Sequence, residues 1–355
     1  MDRDSKRKPK IAITCGDPNG VGPEVLMKAL CDPRLLQEAT FIVFAPVSAL
    51  TKWKKEEAPI VQIKNTNEGS VGKLNVLPYT EKPFEATPGA PTPSGGRVAL
   101  WALEKAKEEL ISGSIDAVVT APVSKQHIVQ ADGVSFVGQT EFFGQTFSKD
   151  GGLMILCGSR LKVALASTHL ALKDVPSALT KEGILGVLKT LDNTLRRDFN
   201  INRPKIAVLG LNPHAGEAGN IGMEEIEVIS PAISAAKSQN LLVFGPYSAD
   251  GFFGAQTCFE FDATLAMYHD QGLTAFKALC FEESVNFTAG LSIIRTSPGH
   301  GTAFDLAGKN TANPESMRNA IYMALDVFRN RAQFDEISKN PLKITKDKSP
   351  TDGAE

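Results

Sequence analysis

Three of the five histidines in this 355-residue chain sit just past short apolar runs. The runs are Val-Ala-Leu-Ala-Ser-Thr-His to His169, Ile-Ala-Val-Leu-Gly-Leu-Asn-Pro-His to His214 and Ala-Thr-Leu-Ala-Met-Tyr-His to His269. Runs of this kind, followed by polar or glycine-containing sequence, predict strands that deliver each imidazole at a carboxyl end. In open α/β sheets ligands bind along that edge. One such histidine reads as a strand cap or a partner for a nearby carbonyl. Three in the same setting make a borderline-soft site for a divalent cation with open coordination positions. Zinc, magnesium, manganese and cobalt all qualify.

Further polar residues cluster on the same predicted edge. Asp270 follows His269 directly and can ligate a cation or orient the imidazole. Lys277, Asn286 and Arg295 come shortly after, Arg295 ending the apolar run Leu-Ser-Ile-Ile-Arg. Cationic side chains beside a metal make sense when a phosphate or carboxylate binds between them. Gly-Gln-Thr-Glu-Phe-Phe (138–143) offers Gln139, Thr140 and Glu141 as donors and acceptors, or a polar turn before a helix. Asn-Pro-His-Ala-Gly-Glu (212–217) places a proline directly before His214. Ala-Pro-Val-Ser-Lys (121–125) brings Lys125 to a strand end.

The elements that must carry these residues alternate along the chain. Strands are predicted at 11–14, 41–44, 117–120, 153–156, 163–166 and 206–209, with helices at 96–110 and 181–197 between them. This alternation points to an α/β fold with largely parallel strands. At this length two domains are expected. Gly-Asp-Pro-Asn-Gly-Val-Gly-Pro-Glu (16–24) links the first strand to a helix. It suits an anion at a helix start or a tight strand–helix turn, and it lacks both the dinucleotide fingerprint and the P-loop. The proline- and glycine-rich 88–96 stretch reads as a rim loop.

Composition narrows the class. A hydrophobic content of 42% with 22% charged residues is that of a globular protein, and a net charge of −2 hints at no polyanionic partner. Nucleic acid is therefore not expected. The five cysteines are odd in number and widely spaced, which fits a reducing compartment and buried thiols, Cys15 included. The charged amino terminus lacks an apolar signal core and no stretch reaches membrane-span length, so a cytoplasmic protein is expected.

Taken together, Gly-Asp-Pro-Asn-Gly-Val-Gly-Pro-Glu, Gly-Gln-Thr-Glu-Phe-Phe, Asn-Pro-His-Ala-Gly-Glu, Met-Tyr-His-Asp-Gln-Gly and Gly-His-Gly-Thr-Ala closely resemble the 4-hydroxythreonine-4-phosphate dehydrogenase family of vitamin B6 biosynthesis. The likeness runs in order over roughly residues 10 to 330. The 299–314 segment also looks like the adenine-side loop of isocitrate and isopropylmalate dehydrogenases. The resemblance implies two α/β/α domains with mostly parallel sheets and a cleft between them. The first would comprise 1–127 plus 290–335 and carry the NAD loop, and the second 128–289, with 336–355 a flexible tail. It implies His169, His214 and His269 as metal ligands, the third coming from a partner subunit, hence a homodimer with a shared cleft. Gln139, Thr140, Lys277, Asn286 and Arg295 fall on substrate-binding positions. Gly299, His300, Gly301, Thr302, Ala303 and Asn310 fall on the NAD or NADP loop. Lys277 is the candidate base or relay, with Asp250 and Asp270 as alternatives.

The implied reaction is metal-dependent oxidation of 4-phosphooxy-L-threonine to 2-amino-3-oxo-4-phosphooxybutanoate, which decarboxylates to 3-amino-2-oxopropyl phosphate. Two positions depart from the family pattern. Gln139 stands where a histidine is usual, and glutamine cannot change charge near neutral pH. Ser124 stands where a histidine often precedes the lysine. These departures keep related acid substrates open, namely 4-phospho-threonate or -erythronate and terephthalate dihydrodiol. Readings from other classes are a phosphate acyltransferase and a catalytically silent metabolite-binding protein.

Overall fold

The structure, a computed structural model of one chain, describes residues 7–53, 58–133, 135–149 and 151–340. Twelve strands form one sheet: β1 (Lys10–Thr14), β2 (Thr40–Ala45), β3 (Ile60–Gln62), β4 (Leu74–Pro78), β5 (Ala117–Thr120), β6 (Leu153–Cys157), β7 (Lys162–Leu165), β8 (Lys205–Leu209), β9 (Leu242–Tyr247), β10 (Ala263–Ala266), β11 (Val285–Ala289) and β12 (Ile294–Pro298). Their order is β3-β4-β2-β1-β5-β12-β11-β6-β7-β10-β8-β9. The expected strands are all present.

Two parallel blocks, β3-β4-β2-β1-β5-β12 and β7-β10-β8-β9, run in opposite senses. They are joined by antiparallel pairings of β11 with β12, β6 with β11 and β7 with β6. Parallel strands need crossovers, and helices supply most of those here, covering the central strands on both faces, while the edge strand β9 stays partly open at Phe244. The helix Lys181–Arg197 shows the local logic. Thr180 Oγ1 accepts from Gly183 N at 3.0 Å, capping its start. Ile184, Leu188, Leu191 and Leu195 then recur on one buried stripe, contributing on the order of 6–12 kcal/mol at about 1.5–3 per side chain.

The two faces of the sheet differ. On one, a single apolar core runs from Ile11 and Phe41 through Val119 and Ile155 to Val208 and Leu265. On the other the core is split. One part gathers around Ala12, Phe44, Val118 and Leu103, and the other around Leu156, Val163, Leu209 and Phe276. The split falls where β12 and β11 turn the polar side chains of Arg295, Ser297, Asn286 and Thr288 to that face.

The helix Glu315–Ser338 runs past Glu336, where the tail was expected to begin. It packs on β12 and β5, with Val327 and Arg331 still buried toward its end, and residues 341–355 lie outside the described set. Among the described residues no helix is long and apolar enough to cross a membrane. All five cysteines are free, and all but Cys31 are buried. Burial pushes the thiols of Cys15 and Cys157 up, Cys157 to about 12, as packing groups rather than nucleophiles.

Candidate active site

A cavity of about 240 Å³ opens over the split in the core. Its floor is the sheet itself: Arg295 and Ser297 of β12, Asn286 of β11, Met154 and Leu156 of β6. Residues two apart on a strand share a face, so pairing of these strands in register brings their side chains to one place. Arg295 does not mark a strand's carboxyl end, as the sequence suggested; it is the second residue of β12 and is 2% exposed. Strand pairing, not a loop, therefore positions it.

The Arg295 guanidinium donates to Thr120 Oγ1 from Nη2 at 2.8 Å, to Thr288 Oγ1 from Nη1 at 2.9 Å and to Gln139 Oε1 from Nη2 at 2.9 Å. All are neutral acceptors. Burial lowers its pKa to about 10, with Glu141 the only charge opposing that shift, so it is a cation at neutral pH without a bonded carboxylate. A buried charge left so is costly unless an anion arrives. Gln139 is fixed at its other end, Nε2 donating to the Ala121 carbonyl at 3.1 Å. It thus ties the end of β5 to Arg295.

Among the described residues seven buried side-chain polar atoms lack a partner, and three of them line this cavity: Glu141 Oε2, Asn286 Oδ1 and His300 Nε2. The His300 Nδ1 lies 2.9 Å from the Gly301 carbonyl and so donates to it, leaving Nε2 as an acceptor. Burial holds the His300 pKa down, keeping the ring neutral. Three acceptors and a guanidinium facing one space suit a ligand bearing both hydrogen-bond donors and an anionic group.

His169 and His269 stand on the rim. His169 lies four residues beyond β7, and its Nδ1 pairs with Glu141 Oε1 at 2.9 Å. His269 opens the helix His269–Cys280, and its Nδ1 pairs with Asp270 Oδ1 at 2.6 Å. Each carboxylate fixes one ring nitrogen and leaves Nε2 free, the usual support of a metal-ligating histidine. His269, Leu273 and Lys277, four apart on this helix, all line the cavity. A second cavity of about 490 Å³ shares Thr140, Glu141, Met154 and His169 with the first, so His169 stands between two spaces.

His214 is not among them. It lines a separate cavity of about 580 Å³ with Asp250, Tyr268 and Gln271, and among the described residues no three His, Cys, Asp or Glu side chains assemble a metal site. The carboxyl ends of β7, β10 and β8 do share one edge, but the chain beyond β8 turns away before reaching His214. The residues Pro213–Gly219 form a turn in which His214, Ala215, Gly216, Glu217 and Ala218 are all left-handed, His214 at φ 52° and ψ 28°. The four non-glycine residues cost roughly 1–2 kcal/mol each in that conformation. Asp250 accepts from Ser248 Oγ, which holds its carboxyl below the ordinary range. Asp270 is largely exposed, with 82% of its side chain in solvent.

Gly299, His300 and Gly301 line the Arg295 cavity, whereas Thr302, Ala303 and Asn310 lie behind it. The reason is the Gly16–Glu24 loop. Val21 N donates to the Thr302 carbonyl at 2.9 Å, and Lys28 Nζ donates to the Asn310 and Ala312 carbonyls. Asn19 N and Gly20 N are spent on Asp17, so this loop holds a neighbouring loop, not an anion. The 88–96 segment is bound to the same loop, Gly89 N donating to the Asn19 carbonyl at 2.8 Å, and is no rim of the cavity. Reading the sequence alone gave Glu141 no partner and missed Thr120, Thr288, Met154 and Leu156. Only the period-two alternation of Asn-Phe-Thr (286–288) signalled a polar face.

The chain is similar to known proteins over most of its length. A 4-hydroxythreonine-4-phosphate dehydrogenase from Bacteroides thetaiotaomicron is 43% identical, covering 95% of this chain and 94% of its own. The crystal structure of the enzyme of that name from Klebsiella pneumoniae superposes with a TM-score of 0.77 at 34% identity, over 91% of this chain and 98% of that one. A terephthalate 1,2-cis-dihydrodiol dehydrogenase from Burkholderia xenovorans is more distant, with a TM-score of 0.61 and 25% identity over 90% of this chain and 98% of that one. The model of the family described as pyridoxal phosphate biosynthetic protein PdxA matches residues 27–324, and the chain belongs to that family.

Proposed function

We propose that the chain is a nicotinamide-dependent dehydrogenase that oxidises 4-phosphooxy-L-threonine at C3. The product, 2-amino-3-oxo-4-phosphooxybutanoate, loses CO₂ to give 3-amino-2-oxopropyl phosphate on the route to pyridoxal phosphate. The observation that carries this reading is the pairing of a buried, unneutralised Arg295 with three unpartnered acceptors in one cavity. Arg295 holds a phosphate or carboxylate, with Thr140 and Lys125 on the same wall. Glu141, Asn286 and His300 accept from the ammonium and hydroxyl groups. A sugar acid or a dihydrodiol brings hydroxyls but no ammonium to those acceptors, which favours the amino acid.

The residues fit a divalent cation only in part within one chain. His169 and His269 present Nε2 with Nδ1 held by carboxylates, and His214 lies elsewhere. The trio is completed across a homodimer, with His214, rather than the last of the three histidines in the chain, supplied by a second copy, because His169 and His269 share one cavity and His214 lines another. When bound, NAD or NADP would supply the hydride acceptor, and the cation, whether zinc, magnesium, manganese or cobalt, would lower the hydroxyl pKa and offset the charge that decarboxylation leaves. Lys277, on the cavity wall, takes or relays the hydroxyl proton. Asp270 orients His269, and Asp250 shares the His214 cavity and so would reach the site only with His214, from the second copy, which leaves Lys277 the base within one chain. Gly299, His300 and Gly301 form the cofactor's edge of the cavity, backed by Thr302, Ala303 and Asn310. The segments 1–127 with 290–335 and 128–289 act as two halves flanking the site, in a cytoplasmic enzyme; the strand order, which changes segment between β12 and β11, supports that division.

The test is NADH formation with 4-phosphooxy-L-threonine, 4-phospho-threonate, 4-phospho-erythronate and terephthalate dihydrodiol, each with and without chelator. Turnover of the first, abolished by chelator, is expected. Preference for any of the other three sinks the substrate assignment.

A further inference from the structure

The left-handed turn that carries His214 is the only run of consecutive positive-φ residues among those described, extending from His214 to Gly219. Such a conformation persists only where its surroundings over-determine it. Here the restraint is one carboxylate. Glu225 is 3% exposed, and its Oε1 accepts from Leu211 N at 2.7 Å and from Asn212 N at 2.8 Å. Its Oε2 accepts from Asn212 Nδ2 at 2.9 Å, and the same amide donates to Glu224 Oε2 at 2.7 Å. The carboxylate has no room to move. A Cβ on Gly210 would lie 2.9 Å from Oε1, and one on Gly216 would lie 2.5 Å from Oε2. Glu225 also begins a π-helical turn, Glu225–Ile229, a feature frequent at functional sites. On the other side Gln271 clamps the loop, its Nε2 donating to the Gly210 carbonyl at 2.6 Å and its Oε1 accepting from Met267 N at 2.7 Å. The Glu225 hydrogen bonds fall on Leu211 and Asn212, between β8 and His214, and Gly216, inside the turn itself, lies against its Oε2. They shape this loop rather than the apolar core.

We propose that Glu225 is a positioning residue, its buried carboxylate locking the left-handed turn so that His214 is aimed outward at the cation site of a second copy. The inference rests on the reading of His214 as a metal ligand. Glu225→Gln keeps the shape but puts an amide donor where either the two backbone N–H groups or Asn212 already donate.

Cobalt(II) binding to the full-length protein, followed by its visible absorption, tests this without turnover. Glu225→Gln is expected to weaken cobalt binding on the order of 10–100-fold and to lower kcat while leaving the KM for NAD unchanged. In a His214→Ala background the same substitution should cause no further weakening. Wild-type cobalt affinity in Glu225→Gln, or an equal loss in both backgrounds, overturns the proposal. Wild-type affinity in His214→Ala alone instead overturns the metal reading on which it stands. Should Glu225→Gln fail to fold, Asn212→Ser removes only the bridging amide, with about a tenfold weakening expected and wild-type affinity counting against the proposal.

Discussion

The surroundings of Arg295 and of His214 position a polar group by opposite means. Arg295 is held by registered strands: its partners Thr120 and Thr288 come from β5 and β11, and its place follows from sheet pairing. His214 is held by a loop bent against its own backbone preference and restrained by Glu225. The first arrangement is rigid because moving Arg295 means moving the sheet. The second holds left-handed residues around an exposed imidazole. Under the proposed function, a site built from both would have a fixed half and an aimed half, the aimed half serving a second copy.

The sharpest break of this comparison is complementation. His169→Ala and His214→Ala should each be nearly inactive, and mixing them under subunit exchange should restore about a quarter of wild-type activity, since half the dimers then carry one intact site. No recovery would place all three ligands in one chain and erase the distinction between the halves. Next, Arg295→Met should lower kcat/KM on the order of 10²–10³-fold, without lowering the thermal unfolding midpoint, because an uncompensated buried cation is also lost. A large fall in the midpoint would mean that Arg295 serves the fold more than the ligand.

A smaller effect sharpens the other side. Ala218 is exposed at φ 52°, so Ala218→Gly should relieve strain at no cost in packing and stabilise the protein by about 0.5–1 kcal/mol in urea unfolding. A destabilised variant would show that the turn carries no strain there. The smallest effect concerns pH. Burial depresses the His300 pKa, so below the ordinary imidazole value of about 6.5 the unfolded chain binds a proton that the folded one refuses. Stability contributed by neutral His300 is therefore present above that pH and lost as pH falls through the depressed value. His300→Asn should flatten the decline of the unfolding midpoint below about pH 6.5, and an unchanged slope would assign the decline to other groups.

Much of the fold was legible because local signals agreed. Thr180 at an N-cap and Ile184, Leu188, Leu191 and Leu195 at helical spacing mark one helix unambiguously. The three strands before the histidines were readable for the same reason, being short, apolar and bounded. The Gly16–Glu24 motif was read as either an anion site or a tight turn, and only the partner of each N–H decided between them. Arg295 was misplaced because Leu-Ser-Ile-Ile, three apolar residues and a serine, does not say where in it a strand begins.

From its residues alone this chain determined the strand–helix alternation, the edge to which β7, β8 and β10 deliver histidines, and the family to which it belongs. Tertiary structure decided the reversal of direction at β11 and β6, the polar gap that it opens in one core, and the separation of His214 from His169 and His269. Those depend on pairings between segments more than a hundred residues apart, such as β5 with β12, and on φ angles that no side chain of His214 announces. Alternation and capping act over a few residues and are written locally, whereas register and loop direction exist only after distant strands have met.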